Sequence, residues 1–223
     1  MKRFFLLPAM LLCYFLNAQE SNPEKVELWT IYPGYVITHD NDTIHGYIKL
    51  NNYVDNQKKV LFYSSPDDEK YAEKYKPKHI KGYKVGSRSY ESFKFWPEKE
   101  ANSVHFFLKV IDGPISAYEW YYEPQSRTDE RVKIDEDNVM NSEIDLSFSE
   151  EDLTTELIAI KNDDKPQQLD NLKYLTNFKK NGSKYFQDYQ ELAEKIANKQ
   201  EGYRWENLKD IILEYNAWYL TNH

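Results

Sequence analysis

The sequence SVHFFLKVIDGPISAYEWYY, residues 103–122, decides the fold class of this chain. Apolar side chains alternate along its first arm, at Val104, Phe106, Leu108 and Val110. A two-residue period is typical of a β-strand with one buried face. The triplet Asp112-Gly113-Pro114 favours a turn, and residues 115–122 follow it as a second, aromatic arm. The segment therefore predicts an antiparallel β-hairpin.

Similar strand–turn–strand patterns lie on both sides of this hairpin. Their paired arms cover residues 34–39 with 43–50, 79–85 with 90–96, and 157–161 with 165–169. A separate strand is predicted at 59–64, and a charged turn region with one helical turn at 66–78. Short strands that follow one another as hairpins predict a β-sandwich or a small barrel.

Beyond residue 170 the apolar period changes to that of a helix. Leu172, Leu175 and Phe178 are spaced three apart, and Gly182 favours a helix end. A last helix is predicted over residues 205–220, because its large apolar side chains form one stripe at Trp205, Leu208, Ile211, Ile212, Tyr215 and Tyr219.

A further helix is predicted between them, over residues 189–199. Asp188 and Glu191 have the spacing of a capping box at its start, and Gly202 follows its end. We expect two or three helices in region 171–223 to pack on the sheet of region 19–170, within one domain. The predicted fold class is therefore α+β, with antiparallel hairpins followed by helices.

Residues 1–18 have the pattern of a secretory signal peptide. Lys2 and Arg3 give a positive start, residues 4–16 are apolar apart from few exceptions, and cleavage is predicted between Ala18 and Gln19. The apolar run is shorter than the ~20 residues that a membrane-spanning helix needs, and no later run is long enough either. The sequence therefore predicts an exported protein, periplasmic or extracellular, without a transmembrane segment after removal of the signal peptide.

Removal of the signal peptide changes the composition of the chain. Taking 18 residues from 223 leaves 205, and losing Lys2 and Arg3 lowers the formal net charge from −8 to −10. Cys13 is lost as well, so the predicted mature chain has no thiol for a disulfide, a thiolate metal site or a cysteine nucleophile. The acidic balance argues against nucleic acid and against anionic lipid surfaces as partners.

Residues 124–152 interrupt the pattern of short strands. This stretch is rich in acidic side chains, poor in aromatic ones and without a clear apolar period. Such a composition predicts a mobile acidic loop within the β-rich region.

Aromatic residues are the second unusual feature of the composition, with 19 Tyr, 11 Phe and 5 Trp. On the strand 115–122 the rings of Tyr118, Trp120 and Tyr122 alternate with Ile115 and Ala117, so the three rings share one face. If that face is exposed, the row suits stacking on sugar rings or a peptide. The alternative is that the same row is a packed core face, as large rings often are.

No motif in the sequence carries recognisable catalytic or cofactor chemistry. Glycine-rich phosphate loops and the G-x-S-x-G motif are missing, and the five histidines lack metal-ligand spacing. His39 and His45 flank the turn 40–42, but an ordinary turn explains this segment better than a metal site. The sequence therefore predicts no catalytic residue, no metal and no cofactor.

Two segments of the chain resemble known exported proteins. The segment GYVITHDNDTIHGYI, residues 34–48, resembles the first hairpin of a broad group of uncharacterised exported proteins of Gram-negative bacteria. The segment YFQDYQELAEKIANKQEGYRWENLKDIILEYNAWY, residues 185–219, is similar to C-terminal helical segments of that group. Together they cover about a quarter of the predicted mature chain. The resemblance implies export but no activity and no catalytic residues.

Three functional hypotheses follow from the sequence. The first is a non-enzymatic module of the cell envelope that binds a glycan, a peptide or another envelope protein through Tyr118, Trp120 and Tyr122. The second is an accessory subunit of an envelope complex that makes contact through its C-terminal helices. The third is a hydrolase that uses dispersed carboxylates, which a pocket with two close acids would favour.

Overall fold

A computed structural model describes residues 27–67, 69–95, 104–122, 153–162 and 164–223. The strands are β1 Ile31–Ile37, β2 Thr43–Lys49, β3 Val60–Tyr63, β4 Glu73–Tyr75, β5 Gly82–Val85, β6 Arg88–Lys94, β7 Val104–Ile111, β8 Ile115–Tyr122, β9 Thr154–Lys161 and β10 Gln167–Gln168. The helices are α1 Tyr53–Asn56, α2 Leu172–Thr176, α3 Phe178–Tyr185, α4 Gln190–Ala197 and α5 Leu208–Asn222, with single 3₁₀ turns at Glu69–Tyr71 and Trp205–Asn207. The predicted signal peptide and acidic loop lie outside the described residues.

The ten strands form one antiparallel sheet, in the order β10-β9-β8-β7-β6-β5-β1-β2-β3-β4. The α+β class with antiparallel hairpins and C-terminal helices is therefore confirmed. Of the two finer alternatives, the sheet is neither a separate pair of layers nor a closed barrel, because β10 and β4 are its two edges. These edge strands have only two and three residues, which limits the unpaired backbone that each edge presents.

Three details differ from the sequence-based expectation. Strand β4 lies in the region expected to be only turn-like. Gly182 does not end a helix but lies within α3, where an added Cβ would come 3.0 Å from the ring of Phe178. Asp188 does not cap α4, whose N-cap is Tyr189 without a side-chain hydrogen bond. Asp188 instead bonds Lys161 and Tyr215, and Gly182 packs against the Phe178 ring one turn earlier in the same helix.

The main core lies on one face of the sheet, here called the inner face. Register pairs place Val36, Tyr83, Tyr90 and Leu108 side by side across four strands of this face. On the β8–β9 half, helices cover it: Ile115 and Ala117 are fully buried against residues of α4 and α5 such as Ile196 and Ile212. Within the described part of the chain, no helix is both long and apolar enough to cross a membrane.

The sheet is splayed between β7 and β8, and Gln57 fills the gap. The register pairs of these strands end at Leu108 and Glu119, with an irregularity between Lys109 and Ile111, and none of them includes Tyr121. Gln57, which follows α1 and is fully buried, donates through Nε2 to the carbonyl of Tyr121 at 2.7 Å and accepts from its N–H at 2.6 Å. Its own carbonyl accepts from the N–H of Phe106 at 3.0 Å. Gln57 thus replaces a missing piece of strand.

Asn216 of α5 makes a similar connection to the start of β8. Its Oδ1 accepts from the N–H of Ile115 at 2.8 Å, and its Nδ2 donates to the carbonyl of the same residue at 2.9 Å. Asn216 is buried, and 101 positions separate it from Ile115. These two hydrogen bonds fix the position of α5 relative to the turn that joins β7 and β8.

Asp188 connects the sheet to the helices instead of capping α4. It accepts from Lys161 Nζ at 2.6 Å and from the Tyr215 hydroxyl at 2.5 Å. Burial by itself raises the pKa of Asp188, but the hydrogen bonds from Lys161 and Tyr215 outweigh it, so the pKa lies below its usual range. The ionised form is therefore favoured by folding.

We expect Asp188→Asn to reduce the free energy of unfolding at pH 7 by about 1 kcal/mol, since the carboxylate is 41% exposed and partly screened by water. A lowered folded pKa contributes stability above the unfolded pKa of ~3.9, and this contribution disappears as the pH falls through the folded value. The difference in the free energy of unfolding between variant and wild type should therefore disappear at low pH. Urea unfolding at several pH values measures it, and a difference that persists below about pH 2 contradicts this role.

Candidate functional site

The predicted aromatic row lies on the outer face of the sheet, opposite the helices, but its three rings have different surroundings. Tyr118 is only 3% exposed and belongs to a small cluster with Phe107 and Ile158. Trp120 is half-buried and meets His105 edge-on at 4.7 Å between ring centroids. Tyr122 lines a separate acidic cleft. The rings therefore share a face, as predicted, without forming one flat platform.

Tyr118 forms part of a groove of about 410 Å³, here called the Tyr118 groove. Its volume is within the ~300–1,000 Å³ range of ligand pockets in proteins. The groove lies where the β7–β8 turn, the end of β9 and the last turns of α5 meet. Its lining residues are Glu91, Ser92, Phe93, Gly113, Pro114, Ser116, Tyr118, Ile160, Asn162 and Tyr219.

Rigid aromatic contacts hold the apolar part of the groove. Phe93 stacks on Phe107 with 4.2 Å between ring centroids and meets Tyr118 edge-on at 4.9 Å. On the opposite side, Tyr219 stacks on the terminal His223 at 4.2 Å with nearly parallel rings. The apolar surface of the groove is therefore built from rings that already pack against other rings.

An ion pair and a phenol organise the polar part of the groove. Glu91 Oε2 accepts from the Tyr118 hydroxyl at 2.6 Å, and Glu91 Oε1 lies 2.5 Å from Lys109 Nζ. Lys109 also contacts Asp112 at 3.0 Å. Burial and the hydrogen bond to Glu91 both raise the pKa of Tyr118, so its hydroxyl stays protonated and donates.

The ammonium group of Lys109 stays charged in this arrangement. Burial on its own lowers the pKa of Lys109, but the hydrogen bonds to Glu91 and Asp112 outweigh it and leave the pKa above its usual value. Lys109 therefore carries a positive charge beside the Glu91 carboxylate at neutral pH.

Two polar side chains of the groove remain available to a ligand. Within the described part of the chain, the Asn162 amide and the Tyr219 hydroxyl have no hydrogen-bond partner, although both residues line the groove. Asn162 has φ +48° in the turn after β9, and its N–H donates to the carbonyl of Pro114 at 2.8 Å. Asparagine tolerates this left-handed backbone well, and the bond places its amide beside the β7–β8 turn.

Gly113 and Asn216 set the position of this turn. Gly113 has φ +149°, and an added Cβ would come 2.7 Å from Asn216 Nδ2. The close approach of α5 to the turn therefore requires glycine at this position. It brings Tyr219, one helical turn beyond Asn216, to the edge of the groove.

The acidic cleft is larger, about 970 Å³, and lies between the far ends of β8 and β9 and the start of α5. Its lining includes Glu119, Tyr122, Glu156, Asp170, Trp205, Glu206, Lys209 and Asp210. Burial raises the pKa of Asp170, a shift only partly offset by its hydrogen bond with the N–H of Leu157. That bond is 2.5 Å long, and Glu119 is similarly held by Lys209 Nζ at 2.5 Å. Both carboxylates thus have structural partners.

The histidines are not brought together. His39 Nε2 lies 3.0 Å from the carbonyl of Lys78, whereas His45 meets the ring of Tyr35 edge-on at 5.6 Å between centroids. The predicted turn between them is present, with Asn41 at φ +69°. Among the residues that the structure describes, no group of three or more histidine, cysteine or acidic side chains is arranged to hold a metal ion.

Sequence reasoning identified Tyr118 but missed most of the groove around it. Asn162 falls in the turn between the predicted arms 157–161 and 165–169, and Tyr219 belongs to the predicted apolar stripe of the last helix. The positive φ of Asn162 and the position of Tyr219 near a helix end are local features. The proximity of the two residues depends on the hydrogen bonds between Asn216 and Ile115. The chain matches no known protein family, no curated protein and no solved structure, so the chemistry of the groove has to be derived from its own side chains.

Proposed function

We propose that the protein is an exported, soluble, non-enzymatic binding module of the cell envelope that holds a glycan in the Tyr118 groove. The observation that carries this proposal is the combination, in one groove, of packed aromatic walls with an amide and a hydroxyl that have no hydrogen-bond partner among the described residues. A sugar ring offers both an apolar C–H face and hydroxyl groups, which act as donors and acceptors. The apolar face of a sugar therefore matches the aromatic walls of the groove, and its hydroxyl groups match the amide of Asn162 and the hydroxyl of Tyr219.

The electrostatics of the chain favour a glycan over the other classes of ligand. With a formal net charge of −8, the chain has no general attraction for nucleic acid or anionic lipid. A peptide would gain affinity from an open strand edge or a long apolar groove, but β4 and β10 are short. The Tyr118 groove instead offers a small, mixed surface, as a short oligosaccharide requires.

A binding role is favoured over catalysis because Glu91 is the only carboxylate among the described residues that line the groove. Glycoside hydrolysis ordinarily uses two carboxylates on opposite sides of the bond. Glu91 is also held by Tyr118 and Lys109, so it is a structural acceptor more than a proton donor. Export is supported by the N-terminal pattern of residues 1–18, which ends at the predicted Ala18–Gln19 cleavage site.

Hydrolysis in the acidic cleft is the second candidate function. The raised pKa of Asp170 favours it, because a general acid must retain its proton near neutral pH. Against it, Asp170 and Glu119 are both bonded to the scaffold. The accessory-subunit hypothesis has less support, since most of the helical stripe is buried on the sheet, including Leu208, Ile211, Ile212 and Tyr215.

We expect Asn162→Ala and Tyr219→Ala each to weaken glycan binding by about tenfold or more, as the loss of one hydrogen bond or one ring contact predicts. Binding is measured on a glycan array, and then by calorimetry with the oligosaccharide that the array retains most strongly. Tyr219→Phe keeps the ring and separates its contribution from that of the hydroxyl.

The matched control for these variants is Tyr71→Ala, which removes an exposed tyrosine from the turn before β4, away from the groove lining. It should bind like the wild type. The proposal is wrong if the array retains no glycan, or if the groove variants bind as tightly as the control.

A further inference from the structure

We propose that the Glu91–Lys109 ion pair makes the Tyr118 groove selective for uncharged sugars and excludes sugars that carry a carboxylate. This inference rests on the proposed function and defines its substrate class. It depends on three charged groups whose positions are given by the structure, namely Glu91, Lys109 and Asp112.

The first step concerns the charges that a ligand meets. Among the lining residues that the structure describes, Glu91 is the only one with a formally charged side chain, and this side chain is 39% exposed. An incoming carboxylate would therefore approach a fixed carboxylate. Like charges brought together at a partly desolvated surface repel each other more strongly than in bulk water.

The second step concerns Lys109, the only cation in contact with this carboxylate within the described chain. Its ammonium lies 2.5 Å from Glu91 and 3.0 Å from Asp112, and its side chain is only 19% exposed. Both neighbours are acidic, so the three groups together carry one net negative charge. An anionic sugar gains no free cation from Lys109, because it would have to displace an existing partner.

The third step explains why an uncharged sugar is accepted. Each oxygen of a carboxylate can accept two hydrogen bonds, and each Glu91 oxygen has one protein donor, the Tyr118 hydroxyl or the Lys109 ammonium. The remaining lone pairs can accept from sugar hydroxyl groups. Together with the amide of Asn162, the groove offers acceptors and donors to an uncharged sugar, which meets no charge repulsion from Glu91.

The experiment compares matched oligosaccharides that differ only by a carboxylate at C6. Oligomers of glucose and glucuronate, and of galactose and galacturonate, are arrayed and the retained pairs are titrated by calorimetry. We expect the wild type to bind the uncharged member of a pair at least about tenfold more tightly. Raising the salt concentration should narrow this ratio, because ions screen the repulsion but leave the uncharged sugar unaffected.

The variant Glu91→Gln tests the role of the ion pair. The amide oxygen can still accept from Tyr118, but the negative charge is gone and Lys109 keeps only Asp112 as a partner. We expect the ratio between uncharged and anionic sugars to fall by about tenfold. The matched control is Glu73→Gln, which removes a carboxylate that also accepts from a tyrosine hydroxyl, that of Tyr75, but outside the groove.

The outcomes separate the two proposals. If anionic and uncharged members of the pairs bind equally well to the wild type, charge selectivity is wrong while glycan binding stands. If no member of any pair is retained, glycan binding itself is wrong. If Glu91→Gln does not fold, the salt dependence of the wild type decides, and a ratio unchanged by salt contradicts the inference.

Discussion

Replacement of Gln57 by leucine should lower the free energy of unfolding by about 3 kcal/mol, although the new side chain has a similar size and is apolar. Its amide is fully buried and makes two hydrogen bonds to the backbone of the partly buried Tyr121, at 2.6 and 2.7 Å. Leucine removes both bonds, and the partly buried N–H and carbonyl of Tyr121 lose these partners. Each such group costs about 1–3 kcal/mol.

Urea unfolding followed by tryptophan fluorescence measures this loss. For a chain of this length, a loss of 3 kcal/mol corresponds to a fall in Tm of roughly 10 °C. The control is Gln187→Leu, which makes the same replacement at an exposed position of the helical region and should change stability by less than about 0.5 kcal/mol. A similar small effect at Gln57 would contradict the bridging role.

Gln57→Glu gives an independent check that preserves the shape of the side chain. An ionised glutamate can accept from the N–H of Tyr121 but repels its carbonyl, whereas a protonated one can bond both groups. Burial raises the folded pKa of such a glutamate above its unfolded value. The folded state then binds the extra proton, so the variant should gain stability relative to wild type as the pH falls from 7 toward about 4.

Local pattern predicted the hairpins correctly, and the reason is the short range of the information they need. The alternation in residues 104–111 and the turn at Asp112 to Pro114 both lie within a few residues of each other. The pairing of β1 with β5, by contrast, joins strands more than forty residues apart. It places β2, β3 and β4 on one side of β1 and the strands from β5 to β10 on the other side. No local period carries that choice, so the single open sheet could not be distinguished from a sandwich or a barrel.

The roles of Gln57 and Asn216, which bond the backbone of distant strands, could not be predicted from the sequence for a related reason. Gln57 and Asn216 are polar, and their surrounding sequence gives no sign that they are buried. Each is satisfied by the backbone of a distant strand, at a separation of 64 or 101 positions. Gly182 is a different case, because it lies inside α3 next to the Phe178 ring of the same helix, where the helix-ending preference of glycine does not decide.

The groove combines one residue that the pattern indicated with others that it did not. Tyr118 stood out because three rings alternate along β8. Asn162 and Tyr219 come from a turn and a helix end that each had an ordinary local explanation. They meet at Tyr118 only because Asn216 anchors α5 above Ile115, so the site depends on a tertiary contact that single-sequence reasoning cannot locate.

Replacement of Asn216 by alanine should therefore affect both stability and binding. The N–H and carbonyl of Ile115 lose their partners in a fully buried position, and a cavity forms beneath the β7–β8 turn, for an expected loss of about 2–4 kcal/mol in the free energy of unfolding. The folded fraction should also bind the glycan more weakly, because Tyr219 and Pro114 no longer keep their spacing. Asn222→Ala removes an exposed asparagine from the same helix and should leave both properties close to wild type.

A double-mutant cycle with Gly113 tests whether the contact itself sets the turn. Gly113→Ala alone should lower the free energy of unfolding for two reasons. The φ of +149° is unfavourable for alanine, and the new Cβ would lie only 2.7 Å from Asn216 Nδ2. When Asn216 is already alanine, the second cost disappears and only the backbone strain remains. The two substitutions should therefore be less than additive, with a coupling of about 1 kcal/mol or more measured by urea unfolding. Additive effects would mean that α5 and the turn are held by other contacts, and that the Tyr118 groove does not depend on Asn216.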